Sequence, residues 1–141
     1  MGKIAVIYWS GTGNTEAMAE LIAKGIKDVT LDCDVMSVSE INANDAAEYE
    51  KLVLGCPAMG AEELEEDEFE PFMAELEGLI SGKKIALFGS YGWGDGEWMR
   101  NWQDRCLSAG ANLIGDEGVI CNDAPEDEDA LIEFGKQIAN A

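Results

Sequence analysis

The chain contains no histidine. That absence removes Ser-His-Asp and Cys-His nucleophilic sites and every metal site that needs an imidazole ligand. Cations are scarce as well: 9 Lys and Arg stand against 29 Asp and Glu in 141 residues, a formal charge of -20. A surface of that sign repels nucleic-acid phosphates and anionic lipid heads, and the few cations form no basic run that could overcome the repulsion. The four cysteines, Cys33, Cys56, Cys106 and Cys121, include no CxxC pair. Zinc, iron–sulfur and dithiol chemistry are thereby disfavoured, and the thiols read as reduced, mostly buried small apolar groups. Long hydrophobic runs are missing too. The stretch Ile4-Ala5-Val6-Ile7-Tyr8-Trp9 is too short for a signal-peptide core or a membrane span. Met1-Gly2 lacks the Ser or Thr at position 6 that myristoylation wants, so a cytoplasmic location is expected.

Hydrophobic residues make up 47% of the chain, well above the range in which high charge means disorder. The length suits a single domain over residues 1–141, burying roughly 70% of the surface of its extended chain. Ile4 to Trp9 reads as a strand buried on both faces. From Thr15 the apolar positions Met18, Ala19, Leu21, Ile22, Ile26 and Val29 recur at helical spacing. Leu31 to Val38 alternates acids with apolar residues and suits a strand near a sheet edge. After an Asn/Asp-rich connection, Leu52 to Cys56 is a second buried strand, closed by Pro57. Phe69, Phe72, Met73, Leu76 and Ile80 form a helical stripe ended by Gly82. Lys84 to Gly89 is a third buried strand. A helix is expected from Glu97 to Ala109 with Trp98, Trp102 and Cys106 on one face, capped by Gly110. A split strand follows at Leu113-Ile114 and Val119 to Cys121, and a final helix carries Ala130, Leu131, Phe134 and Ile138. Strand–helix alternation of this kind predicts an α/β fold, an open parallel sheet with helices on both faces.

Ligands of such sheets sit at the carboxyl ends of the strands, where the winding reverses. Three loops follow the three apolar strands. The first, Ser10-Gly11-Thr12-Gly13-Asn14-Thr15, leads into the first helix; its glycines let backbone N–H groups converge, and the helix N-terminus adds positive partial charge. It has neither the Lys of a P-loop nor the third Gly of a dinucleotide fingerprint. Its hydroxyls and amide instead form a nest of neutral donors sized for one terminal phosphate, or a capped tight turn. The second loop is Pro57-Ala58-Met59-Gly60-Ala61-Glu62. The third is Ser90-Tyr91-Gly92-Trp93-Gly94-Asp95-Gly96. A Trp between glycines suits a stacking plate, and Met59 offers a polarizable thioether opposite, so a planar aromatic ligand fits between them.

On these residues the chain resembles the flavodoxin family, and in particular the short-chain flavodoxins of anaerobic, clostridial-type bacteria. The resemblance rests on Val6-Ile7-Tyr8 with Ser10, Gly13, Thr15, Ala19 and Ile22, on GCPAMG (55–60) and on LFGSYGWGDGEWM (87–99), and it spans essentially the whole chain. It implies a five-stranded sheet of order 2-1-3-4-5, an order that is a documented property of the fold family, with FMN at the point where winding reverses. Carried over position by position, Ser10 to Thr15 hold the FMN phosphate. Pro57 to Glu62 pass the inner edge of the flavin, Trp93 covers its outer face, and Ser90, Tyr91 and Gly92, with Gly94 and Asp95 beyond, contact the ring and ribityl chain.

The resemblance also implies that the peptide after Gly60 flips on one-electron reduction to accept a hydrogen bond from flavin N5–H. Such a turn needs a positive φ that glycine tolerates. Glu62 accepts from flavin N3–H. Ala61 departs from the Asp or Gly of close relatives, and Pro57 stands where some offer a Ser hydroxyl. The implied role is a low-potential one-electron carrier cycling between neutral semiquinone and hydroquinone, monomeric, with redox partners that dock through basic surfaces. One charge about 10 Å from the reduced flavin anion costs roughly 0.4 kcal/mol at water's dielectric and about 1.7 at an effective value of 20. Several acids together therefore lower its potential by roughly 40–130 mV. An NAD(P)H-dependent FMN or quinone reductase on the same fold is the alternative; it needs cations for a nicotinamide substrate, and the three loops carry no Lys or Arg. A phosphorelay receiver domain requires an Asp ending the third strand, which GCPAMG lacks.

Overall fold

The structure is a computed structural model. It describes residues 3–9, 14–56, 67–91, 97–114, 119–122 and 128–141, with the backbone alone for Asn14, Ser90, Tyr91, Glu97 and 119–122. The strands are β1 (Ile4–Tyr8), β2 (Cys33–Ser37), β3 (Lys51–Gly55), β4 (Lys84–Tyr91), β5 (Asn112–Leu113) and β6 (Val119–Asn122). The helices are α1 (Asn14–Lys27), α2 (Ala43–Ala46), α3 (Phe69–Leu76), α4 (Glu97–Ser108) and α5 (Glu128–Asn140). All strand pairs are parallel and follow the order β2-β1-β3-β4-β5. β6 pairs with the carboxyl half of β4, Phe88 to Tyr91, while β5 pairs with Lys84 and Ile85. The two short strands thus share the fifth position, as the split apolar pattern predicted, and the order 2-1-3-4-5 is the observed one.

Alternation along the strands divides the core. Ala5, Ile7, Leu52, Leu54, Ile85 and Leu87 face α3 and α4, meeting Phe69, Met73, Trp98 and Trp102. Val6, Val53, Ala86 and Phe88 face α1 and α5, meeting Met18, Ile22, Leu131, Phe134 and Ile138. Both faces of the central strands are covered, which is why their sequences are apolar at every position rather than every second one. Edge strand β2 is buried only at Cys33 and half-buried beyond it.

α1 and α5 pack at unusually close range. A Cβ on Gly135 would lie 2.0 Å from the Ile22 carbonyl oxygen, and one on Gly25 would lie 1.9 Å from that of Ile132. Opposite the strand exits, Lys51 is buried and its Nζ donates to the carbonyls of Ile138 (2.9 Å) and Ala139 (3.1 Å), closing the C-terminal end of α5. Burial and neighbouring Lys84 lower the pKa of that ammonium, yet the helix's exposed carbonyl dipoles give it acceptors.

Several expectations are corrected. Val29 lies beyond the end of α1 and is 45% exposed; the helix stops at Lys27, with Val29 and Thr30 N–H groups donating back to Ile26 in a terminal turn. The predicted Leu31–Val38 strand is shorter, and Val38 belongs to a turn with a capping box at Ser37 and Glu40; the Asn/Asp-rich connection after it contains the short α2, capped by Asn42. Ala130 is exposed on α5. β4 extends two residues past Gly89, so Ser90 and Tyr91 are strand rather than loop, held by pairing with Cys121 and Asn122. Cys33, Cys56 and Cys106 are buried as expected and in no disulfide among the described residues, and burial pushes the Cys33 thiol to about 11 and the Cys106 thiol to about 12. The Cys121 side chain lies outside the described residues.

The α1–α5 contact yields a test. Gly135→Ala inserts a methyl where a backbone carbonyl already sits, so the helices must separate; a loss of about 1–3 kcal/mol in the urea unfolding free energy is expected. An unchanged midpoint would show that the contact is looser than its geometry.

Candidate functional site

The carboxyl ends of β1, β3 and β4 lie side by side in register, with Tyr8 beside Gly55 and Gly55 beside Phe88. β1 is joined to β2 on one side and β3 on the other, so the chain reverses its winding between β1 and β3. The three loops singled out in the sequence all leave from this line of strand ends. α1 begins at Asn14, directly after the first loop, and Thr15 in its first turn is 1% exposed. A buried hydroxyl in the first turn of a helix, following a glycine-rich sequence, suits an anion.

The roots of the loops are tied to one another. Trp9 ends the described part of β1's exit; its backbone N–H donates to the Gly55 carbonyl at 3.0 Å, and its indole Nε1 donates to Glu68 Oε1 at 3.3 Å, just where the second loop meets α3. Cys56, the residue preceding the second loop, donates its N–H to the Phe88 carbonyl at 3.2 Å. Its own carbonyl accepts from the indole Nε1 of buried Trp98 at 3.1 Å, where the third loop meets α4. Gly89 is required beneath this contact, because a Cβ there would lie 2.3 Å from the Cys56 oxygen. Sequence spacing assigned Trp98 to the core face of α4; its additional role at a loop root had no signal beyond its position two residues after Gly96.

Of the sequence-predicted ligands, Thr15 and the backbones of Asn14, Ser90 and Tyr91 are described, and all stand at the carboxyl end of the sheet. Ser10, Gly11, Thr12, Gly13, Pro57, Ala58, Met59, Gly60, Ala61, Glu62, Gly92, Trp93, Gly94 and Asp95 lie outside the described residues.

Charge is distributed unevenly along the strand direction. Lys3, Lys51 and Lys84 start strands or adjoin their first residues, Lys83 precedes β4, and Lys24 and Lys27 occupy the last turn of α1. With Lys136 near the end of α5, every lysine sits toward the amino ends of the strands. Acids stand at both ends: Glu16, Glu70, Glu128 and Asp129 are in first turns of α1, α3 and α5, while Asp28, Asp32, Glu48 and Glu50 adjoin the strand starts. The N-terminal dipoles of these three helices and the C-terminal dipole of α1 are thereby complemented. Arg100 in the first turn of α4 is the exception. Arg105, farther along, bridges Glu70 and Glu77 between α4 and the α3 segment, and its hydrogen bonds to Glu70, opposed by burial, raise its pKa.

The fold class is that of the open, doubly wound parallel sheets that hold a ligand at the strand exits. The flavodoxin family profile ("Flavodoxin") matches residues 6–135. The chain is 53% identical to the flavodoxin of Clostridium beijerinckii over 96% of this chain and 98% of that one, and 44% identical to that of Megasphaera elsdenii over 98% and 99%. The solution structure of two-electron reduced Megasphaera elsdenii flavodoxin superposes with a TM-score of 0.89 at 43% identity, covering 98% of this chain and 99% of that one. The chain therefore belongs to the flavodoxin family. It is an electron-transfer protein rather than an enzyme, and its cofactor is FMN. The buried Thr15 hydroxyl at the first turn of α1 and the three adjacent strand exits fit that cofactor's phosphate and ring.

Beside the first strand exit, half-buried Tyr8 donates to Glu16 Oε2 at 2.9 Å. Burial, then the carboxylate that accepts its proton, push the phenol from 10.0 to about 12. Tyr49 is raised likewise to about 12, by burial and then by its hydrogen bond to Asp34. The folded state thus holds both protons more tightly than the unfolded chain. The resulting stability is present below pH 10.0 and is lost as pH rises through about 12. An alkaline titration of phenolate absorbance should show these two groups ionising well above the unfolded value, and Tyr8→Phe should remove one of the late steps.

Proposed function

We propose that residues 1–141 form a single FMN domain that carries one electron at a time at low potential. It cycles mainly between the neutral semiquinone and the hydroquinone, as a cytoplasmic monomer whose redox partners dock through basic surfaces. The observation that supports this most is the alignment of the β1, β3 and β4 exits with the buried first turn of α1. In this reading Ser10 to Thr15 seat the phosphate through neutral donors. Pro57 to Glu62 border the flavin, with Gly60 supplying the turn that changes on reduction and Glu62 accepting from N3–H. Trp93 stacks on the outer face, with Ser90 to Gly92 and then Gly94 and Asp95 along the ring and ribityl chain.

The placement of the cations supports the carrier over a reductase. A nicotinamide substrate brings phosphates that need cations near the flavin, whereas every lysine stands toward the strand starts and Arg100 alone among the described cations lies in a helix first turn. A net charge of -20 disfavours the hydroquinone anion more than the neutral semiquinone, which separates the two one-electron steps. The same charge attracts basic partners. Among the described residues no helix is long and apolar enough to cross a membrane.

Anaerobic reductive titration tests the reading: a stable blue intermediate is expected, and passage directly from yellow to colourless would overturn it. Gly60→Val should lower the first one-electron potential by roughly 40–90 mV, since a β-branched residue at positive φ costs about 1–2 kcal/mol. Phosphate affinity, probed by riboflavin against FMN binding, should change little. Electron transfer to a basic acceptor protein should slow as ionic strength rises.

A further inference from the structure

The side-chain contacts at the strand exits single out one residue that is not itself a predicted ligand position. Trp98 is 2% exposed, and its indole donates to the carbonyl of Cys56. Cys56 is held from three directions. Its N–H is bonded to Phe88 across the sheet, Gly89 lies against its oxygen, and Pro57 after it restricts its backbone to extended conformations. The carbonyl that Trp98 grips belongs to the peptide bond through which the chain enters residues 57–62. We infer that Trp98 is a positioning residue: by fixing the Cys56 carbonyl it sets the stiff root from which the 57–62 segment changes conformation on reduction. This inference rests on the reading that 57–62 borders the flavin.

The physical argument is preorganisation. A segment that must present a carbonyl to a newly protonated flavin nitrogen does so strongly only if its root does not wander, because each extra accessible conformation dilutes the aligned one. A hydrogen bond from a buried, rigid indole is suited to this, since the Trp98 ring is packed within the core formed by α4 and the sheet. Trp102, one turn later on the same face, is buried equally and donates to Met73 Sδ at 3.4 Å, with its ring edge-on to Phe69. Its indole also donates, to a weaker thioether acceptor, deep in the core and away from the loop root.

That pair of tryptophans provides the experiment. Trp98→Phe and Trp102→Phe are prepared as FMN holoproteins, and the fraction of flavin held at the one-electron level at half-reduction is measured by visible absorbance. Trp98→Phe should lower the comproportionation constant at least fivefold, while Trp102→Phe, which also removes a buried indole donor, should leave it within twofold of wild type. A Trp98→Phe value within twofold of wild type, or an equal fall in both variants, would overturn the inference. If Trp98→Phe does not fold, wild-type holoprotein decides: the Trp98 indole N–H resonance should move between the oxidised and two-electron reduced states while that of Trp102 stays, and two unmoved resonances count against the inference. Failure of wild type to bind FMN would instead sink the underlying functional reading.

Discussion

The reversal of winding between β1 and β3 is the constraint from which the rest follows. Because crossovers between parallel strands are right-handed, a chain that steps from β1 to β2 and then back across β1 to β3 must place α1 on one face and α3 and α4 on the other. The helices that follow β1 and β3 then lie on opposite faces, and the strand exits between them are the switch point at which sheets of this class leave a crevice. No residue has to be dedicated to making that crevice. It is a consequence of strand order, and the apolar sequences of the central strands specify the order by requiring cover on both sides.

Polarity is a second consequence of the same arrangement. Helices that return the chain from strand exits to strand starts all point their N-termini toward the crevice. Acids in the first turns of α1, α3 and α5 and lysines in the last turn of α1 answer these dipoles, and because the helices are parallel the local complements add rather than cancel. A net charge of -20 works against an anionic cofactor phosphate, so in the proposed reading that group is met by oriented backbone and hydroxyl donors such as Thr15. In the same reading the charge favours the flavin states that carry least negative charge and draws cationic surfaces to the cofactor edge.

Much of this was legible in the sequence, and the exceptions have identifiable causes. Buried strands announced themselves as unbroken apolar runs, and the helical stripes of α1, α3, α4 and α5 marked their core faces. The end of α1 was misjudged because Val29 keeps the apolar spacing while its N–H is already bonded back to Ile26 in a terminal turn. The extent of β4 was misjudged because Ser90 and Tyr91 precede a glycine-rich segment, whereas their strand character comes from pairing with β6, distant in sequence. The loop residues that make the site resemble flavodoxins were visible as motifs. The indole bonds of Trp9 and Trp98 that tie those loops together were not, because each depends on a partner more than forty positions away and neither residue type advertises a hydrogen bond.

The close contact of Gly25 with Gly135 has a bearing on how the protein comes into being. α1 begins at the strand exits with buried Thr15, yet the face it buries is completed by a helix made some hundred residues later. On the ribosome the earliest β-α-β unit emerges with the side of α1 that carries Ile22, Gly25 and Ile26 uncovered, and only when residues 128–140 arrive can that helix settle against its partner. Completion of the α1 face is therefore coupled to the end of synthesis rather than to its beginning, and a nascent chain exposes part of its apolar surface for most of its time in production.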